Sequence, residues 1–270
     1  MIPAGFDYVR AESAEHALAL LAEHGDEAKL LAGGHSLLPL MKLRLAVPGV
    51  LVDIAHIDEL RYIRVEGDEV AIGALTRDRE LERSELLQSE VPLLAHVAAQ
   101  VGDPQVRARG TLGGSLVHGD SASDLPTAVL ALGGSLVIQG PAGTRTVAAG
   151  DFFQGFFTTA VGEDELLTEI RLPRTGGLGW AYEKFTRRAN DWPIVSAAVV
   201  DGRVALANSG PTVLRAAATE AALASGASNA DAAAVADEGT SPSADMHGGV
   251  EYRRHLTRTL VGRALDTASA

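Results

Sequence analysis

Two glycine-glycine stretches organise this chain: Leu31-Ala32-Gly33-Gly34-His35-Ser36-Leu37-Leu38-Pro39, and Gly110-Thr111-Leu112-Gly113-Gly114-Ser115 with Asp124-Leu125-Pro126 after it. The first joins a predicted strand, Lys29 to Ala32, to a predicted helix. Adjacent glycines let a backbone approach a ligand closely and adopt torsions that other residues resist. Consecutive exposed N–H groups then surround an anion such as a pyrophosphate, and the positive end of the following helix adds to the attraction. Ser36 either caps that helix or donates to a phosphate oxygen; a plain tight turn is the competing reading. The stretch lacks GxxxxGK[ST] and GxGxxG, so it is neither a Walker loop nor a Rossmann fingerprint. The second stretch carries hydroxyl side chains at Thr111 and Ser115. Two such loops suit a long ligand bearing two phosphates. For Asp124 two readings stay open: acceptor for ribose hydroxyls, or ordinary helix N-cap.

Outward from these loops the pattern predicts a mixed chain. Ser13 caps a helix with apolar residues at Ala17, Leu18, Leu20 and Leu21, and Gly25 ends it. Leu51–Ile54 is a short strand. Tyr62–Glu66 and Val70–Gly73 form a hairpin about Gly67-Asp68. Helices are expected at Arg77–Gln88 and Pro92–Val101, a loop of little periodicity from Arg109 to Ser123, and a helix from Asp124 to Leu132 with Pro126 tolerated in its first turn. Strands follow at Leu136–Gln139 and Leu166–Leu172. Pro173–Gly179 concentrates proline and glycine and is the best boundary. Beyond it, Trp180–Thr186, Val195–Val200 and Arg203–Asn208 read as antiparallel strands, with Asp201-Gly202 as a hairpin turn. Ala216–Ala236 reads as two short helices, and Glu251–Ala268 as a terminal helix. The order shows no steady βαβ alternation, so the fold class is α+β. The divisions expected are 1–54, 55–174 and 175–270.

Composition narrows the function. The chain has 270 residues, 46% of them hydrophobic and only 4% aromatic, so alanine, leucine and valine must fill the core. Its net charge of −12 disfavours nucleic-acid binding. No apolar run approaches the roughly 20 residues of a membrane span, and the N-terminus lacks the pattern of a secretory signal; the expectation is a soluble cytoplasmic protein. There is no cysteine. That excludes thiol nucleophiles, Cys-ligated iron–sulfur clusters and Cys-containing zinc sites in this chain. Electron handling here would need an organic cofactor, with any metal centre on another chain. No nucleophile–base pair stands out, and no catalytic side chain or metal ligand is assigned.

The motifs carry a specific resemblance. AGGHSLLPLMKLRL (Ala32 to Leu45), DPQVRARGT (Asp103 to Thr111), TLGGSLVHGDSASDLPTAVLAL (Thr111 to Leu132), YEKFTRRANDW (Tyr182 to Trp192), SGPTVLRA (Ser209 to Ala216) and EYRRHLTRTL (Glu251 to Leu260) occur in this order over nearly the whole chain. They resemble the FAD-binding medium subunit of molybdenum hydroxylases, the family of the carbon monoxide dehydrogenase flavoprotein and of the xanthine dehydrogenase flavin domain. The resemblance implies a two-part N-terminal FAD-binding region of the vanillyl-alcohol-oxidase type and a C-terminal antiparallel sheet with helices. It implies non-covalent FAD held by Ala32, Gly33, Gly34, His35, Ser36 and Leu37, by Thr111, Leu112, Gly113, Gly114 and Ser115, and by Asp124. It also points to Lys184 beside the cofactor and Trp192 near the flavin ring. A solvated strand lysine and a core or interface aromatic are the plainer readings of those two. His118 is a plain polar loop residue or a neighbour of the second loop, and Lys42 and Arg44 face water or a partner.

The implied role is electron relay. A large partner holding the molybdenum cofactor oxidises the substrate, [2Fe-2S] clusters of a small partner pass electrons to FAD here, and FAD passes them to an external acceptor, a small molecule or a quinone. The implied assembly is a heterotrimer doubled into a heterohexamer. A stand-alone flavin reductase of the same superfamily and an orphan flavin-binding protein are the alternatives.

Overall fold

The computed structural model describes residues 2–270. Its first part is a small parallel sheet. Strand β1 (Asp7–Arg10) leads to helix α1 (Ala14–His24), opened by Ser13, whose side chain accepts the His16 N–H at 3.1 Å. Strand β2 (Ala28–Leu31), helix α2 (Leu37–Lys42) and strand β3 (Val50–Asp53) follow. The sheet order is β1-β3-β2, and both pairings are parallel. β3 is buried throughout, as a central strand covered on both faces must be. β1 is a largely exposed edge without apolar alternation, which is why the sequence pattern did not reveal it.

The second part opens with β4 (Ile63–Glu66) and β5 (Glu69–Gly73). Six helices follow: α3 (Asp78–Arg83), α4 (Glu85–Glu90), α5 (Pro92–Ala99), α6 (Pro104–Arg109), α7 (Leu112–His118) and α8 (Asp124–Leu132). Then come β6 (Ser135–Gly140), β7 (Gly143–Ala148), a single turn α9 (Ala149–Phe152), a small hairpin of β8 (Phe153–Gly155) and β9 (Thr158–Thr159), and β10 (Leu166–Pro173). The main sheet has order β4-β5-β10-β6-β7, with antiparallel neighbours. The helix expected over Arg77–Gln88 is two helices, broken at Ser84, whose side chain caps the second by accepting from Leu87 N–H at 3.2 Å.

The loop expected over Arg109–Ser123 is a correction of substance. Its centre is α7, begun by Thr111 and ended at Gly119 in the left-handed conformation.

The third part is an antiparallel sheet, β11 (Trp180–Phe185), β12 (Val195–Val200), β13 (Arg203–Ala207) and β14 (Leu214–Arg215), in that order. Helices α10 (Ala217–Ala224), α11 (Asn229–Ala234) and α12 (Val250–Ala268) complete the chain. α11 and α12 cover one face of this sheet. α8 lies against the other and is buried at every position from Asp124 to Leu132. It shares one hydrophobic cluster with α5, β5, β10 and the inward residues Tyr182, Ala198, Val200 and Ala205. This enclosed helix begins at Asp124, so the fold fixes the position of that carboxylate from all sides.

Candidate functional site

The two glycine stretches meet. A Cβ built on Gly33 would lie 2.2 Å from the carbonyl oxygen of Arg109 and 3.0 Å from Cα of Gly110. Both neighbours are backbone, so only glycine permits this approach. The first loop leaves the C-terminal end of β2, the edge of a parallel sheet at which α/β folds place their ligands.

The loops differ in what they offer. Among the described residues, the backbone N–H groups of Gly33, Gly34, His35, Ser36 and Leu37 find no acceptor within the chain. Ser36 does not cap α2 through its side chain, so its hydroxyl is also uncommitted. His35 is exposed, and its partial burial, followed by the nearby Arg109 guanidinium, lowers its pKa and favours the neutral ring. In the second loop the donors are already used. Leu112 N–H donates to Thr76 O at 3.0 Å, Gly113 N–H to Ala74 O at 2.8 Å, and Gly114 N–H to Thr111 Oγ1 at 3.2 Å. Leu112 is fully buried in the core, while Gly114 and Ser115 reach the surface. The first loop is therefore the donor cradle, and the second is the wall that fixes its shape.

Asp124 and Lys184 form a buried ion pair, Nζ to Oδ2 at 2.9 Å. Lys184 also donates to the carbonyl of Gln100 at 3.0 Å. Tyr182 donates its phenol to Asp124 Oδ1 at 2.5 Å and lies 3.0 Å from Ser196 Oγ. Burial pushes the Asp124 carboxyl above its ordinary range, against the opposing pull of the Lys184 ammonium and the Tyr182 hydrogen bond. Burial, reinforced by the Asp124 charge, raises the Tyr182 phenol well above its ordinary value. Lys184 is thus not a solvated strand lysine. One of its three ammonium protons remains free for another acceptor.

Asp78, at the start of α3, was not singled out from the sequence. It is 3% exposed, and its Oδ1 has no hydrogen-bond partner. Burial raises its pKa to about 7, with Arg107 opposing the rise and Asp124 adding to it. A lone Asp within the charged run Arg77–Arg83 reads as an exposed helix start, and no sequence signal marks it as buried.

Trp192 stands apart, 55% exposed on the connection between β11 and β12. No hydrogen bond from its indole and no aromatic pair links it to either loop among the described residues. The end of that connection is pinned: Ile194 N–H donates to Phe185 O at 2.8 Å, Asn208 donates to Pro193 O at 2.9 Å, and Arg253 donates to Ile194 O at 2.6 Å.

Comparison with known proteins gives the family. Residues 4–175 match the FAD binding domain in molybdopterin dehydrogenase, and residues 180–268 match the CO dehydrogenase flavoprotein C-terminal domain. The chain is 43% identical to the carbon monoxide dehydrogenase medium chain of Hydrogenophaga pseudoflava, over 100% of this chain and 99% of the relative. It is 38% identical to subunit alpha of the 6-hydroxypseudooxynicotine dehydrogenase complex of Paenarthrobacter nicotinovorans, over 99% and 96%. A solved structure of carbon monoxide dehydrogenase from Hydrogenophaga pseudoflava, in a form lacking the Mo-pyranopterin moiety of the molybdenum cofactor, superposes with a TM-score of 0.97 at 45% identity, covering 100% of this chain and 99% of that one.

Proposed function

The chain belongs to the FAD-carrying medium subunits of the molybdenum hydroxylases, and from that premise we propose how its residues serve the relay. It binds FAD non-covalently, accepts electrons from the iron–sulfur clusters of a small partner subunit fed by a large molybdenum subunit, and hands them to an external acceptor. With no cysteine of its own, the chain leaves Cys-ligated clusters to that partner.

The observation that carries the reading is the junction at Gly33. Five uncommitted main-chain donors there, from Gly33 to Leu37, fit the diphosphate of FAD, because backbone N–H groups bind anionic oxygens without a counter-charge. Bound, FAD supplies reversible electron uptake and release, and the protein supplies position and electrostatics. In this proposal Ala32 to Leu37 hold the diphosphate, with His35 contributing as a neutral ring. Thr111 to Ser115 set the facing wall, Leu112 through its backbone alone. Asp124 holds Lys184 in place, and the remaining ammonium proton of Lys184 would be offered to the cofactor. Trp192, on the exposed connection between β11 and β12, would lie near the flavin ring.

The proposal extends to three structural units, 1–54, 55–174 and 175–270. Three hydrophobic clusters support it, although Ile57, Leu60, Leu75 and Leu166 join the first and Tyr182, Ala198, Val200, Ala205 and Val213 the second. It extends also to a quinone or small carrier as acceptor and to a doubled heterotrimer. The substrate is set by the large partner; relatives of this chain serve both carbon monoxide and 6-hydroxypseudooxynicotine dehydrogenases.

Purification of the tagged chain from its native host tests the assignment. The expected product shows a flavin absorbance band, and mass spectrometry finds a large molybdenum-type subunit and a small cysteine-rich one. Recovery of the chain alone and colourless contradicts it.

A further inference from the structure

Behind the junction of the two loops sits a carboxyl with one oxygen unpartnered among the described residues. Asp78 is buried, and its Oδ1 lacks any partner. Its Oδ2 presses on the second loop: a Cβ built on Gly110 would lie 2.3 Å from that oxygen. Gly110 in turn abuts Gly33 of the cradle. Asp78 N–H donates to Gly110 O at 3.0 Å, so the contact is anchored from both sides. One glycine therefore separates this carboxyl from the uncommitted donors.

Its surroundings do not offset a charge. Arg107, on α6, and the residue's own backbone N–H favour the charged form, but the Arg107 guanidinium is committed to Glu82 at 2.9 Å and to Val101 O at 3.0 Å, and burial outweighs both. Asp124, on α8, adds a second negative charge and is itself paired with Lys184 of β11. On α3, Glu80 is bonded to Arg61 and to the Arg77 N–H. α5 carries only His96 among titratable groups, and that ring is engaged with Gln100 and Trp180.

We propose that Asp78 is the proton-linked residue of the cofactor cradle: seating a diphosphate on the Gly33–Leu37 donors drives a solvent proton onto Asp78, which stays protonated while the ligand is bound. The step forms one carboxyl O–H bond, consumes one proton and moves no electrons. Its cause is general. A diphosphate brings negative charge close to a carboxyl already held in low dielectric, and the charged form of that carboxyl becomes harder to sustain. The inference rests on the assignment of FAD to this cradle.

Its sign follows from the free chain. There burial pushes the Asp78 carboxyl up to about 7. Below that pH it already carries the proton and FAD binding takes up none. Above it, binding draws in up to one proton per FAD, and affinity falls by up to tenfold per pH unit.

Calorimetric titration of the FAD-stripped full chain with FAD, in buffers of different ionisation enthalpy, reads the proton directly. Expected is almost no uptake at pH 6 and an uptake approaching one at pH 8. Asp78→Asn abolishes the uptake at pH 8, whereas His255→Gln, at an exposed histidine of α12 outside the cradle, retains it. Tight FAD binding at pH 8 with no proton uptake, or uptake that survives in Asp78→Asn, overturns the role of Asp78 and leaves the cofactor assignment standing. Failure of FAD to bind at any pH overturns the cofactor assignment, and this inference with it. Should Asp78→Asn not fold, infrared difference spectra of the wild-type chain at pH 8 decide: FAD binding must create a protonated-carboxyl band, and its absence rejects the proposal.

Discussion

Lys184 and Asp124 show how strongly single residues are held here. Both side chains are nearly inaccessible, and among the described residues each is the other's only opposite charge within bonding distance. Removing one partner of such a pair leaves an uncompensated buried charge, which costs about 3–5 kcal/mol. Lys184→Met should therefore lower thermal stability markedly. Its pH dependence is informative. The Asp124 carboxyl is already raised in the folded chain, and losing Lys184 raises it further. A carboxyl raised on folding contributes stability at low pH that is lost as pH rises through its folded value. The melting deficit of the variant should be larger at pH 8 than at pH 5, and adding Asp124→Asn should recover part of it; a deficit independent of pH would remove Asp124 as its cause. At this scale the sequence was uneven. The close approach at Gly33 was legible because a backbone packed this tightly on another requires glycine, whereas Gly113-Gly114 shows that the same dipeptide also serves helix packing. Asp78 was not, because burial of one acid depends on the packing of α3, α6 and α8, which no local pattern encodes.

Among elements, α7 is the instructive one. Two glycines in its first turn lower helix propensity by about 1 kcal/mol each, so a pattern-based reading makes it a loop. The helix forms because tertiary contact compensates: a Cβ on Gly113 would lie 2.7 Å from Ala74, and Thr111 caps the first turn. The capping threonine and Gly119 at the far end were the signals available in the sequence. Thr111→Val keeps the shape and removes the cap. It should cost about 1 kcal/mol of stability and weaken FAD binding several-fold, read by melting and by flavin fluorescence titration, with Thr111→Ser close to wild type. Equal FAD affinity in Thr111→Val would show that the wall does not shape the cradle. The strongly periodic elements, α1, α8 and the β12–β13 hairpin, were readable because one face or the whole element is apolar. The edge strands β1 and β7 were missed because exposed edges carry no such alternation.

The whole molecule distributes its stability unequally. The parallel sheet of β1, β2 and β3 is three short strands with its own small cluster, whereas α8 is sealed between α5 and the β12–β13 sheet. Opening costs least where little apolar surface is buried. In hydrogen-exchange mass spectrometry, amides of β1 to β3 should exchange earlier than those of α8 and β12, and FAD should slow the first group most. Uniform protection across both would contradict this division.

The enclosure of α8 has a consequence during synthesis. As the chain leaves the ribosome, α8 emerges well before its cover, since Lys184 lies 60 residues beyond Asp124 and β12 and β13 later still. Until then the nascent chain bears an uncovered apolar helix, the kind of surface that chaperones recognise. Both cradle loops exist by then, but Lys184, the proposed cofactor contact of β11, does not. On that proposal flavin loading is expected late, and a translation arrest short of β11 should release an aggregation-prone, flavin-free fragment.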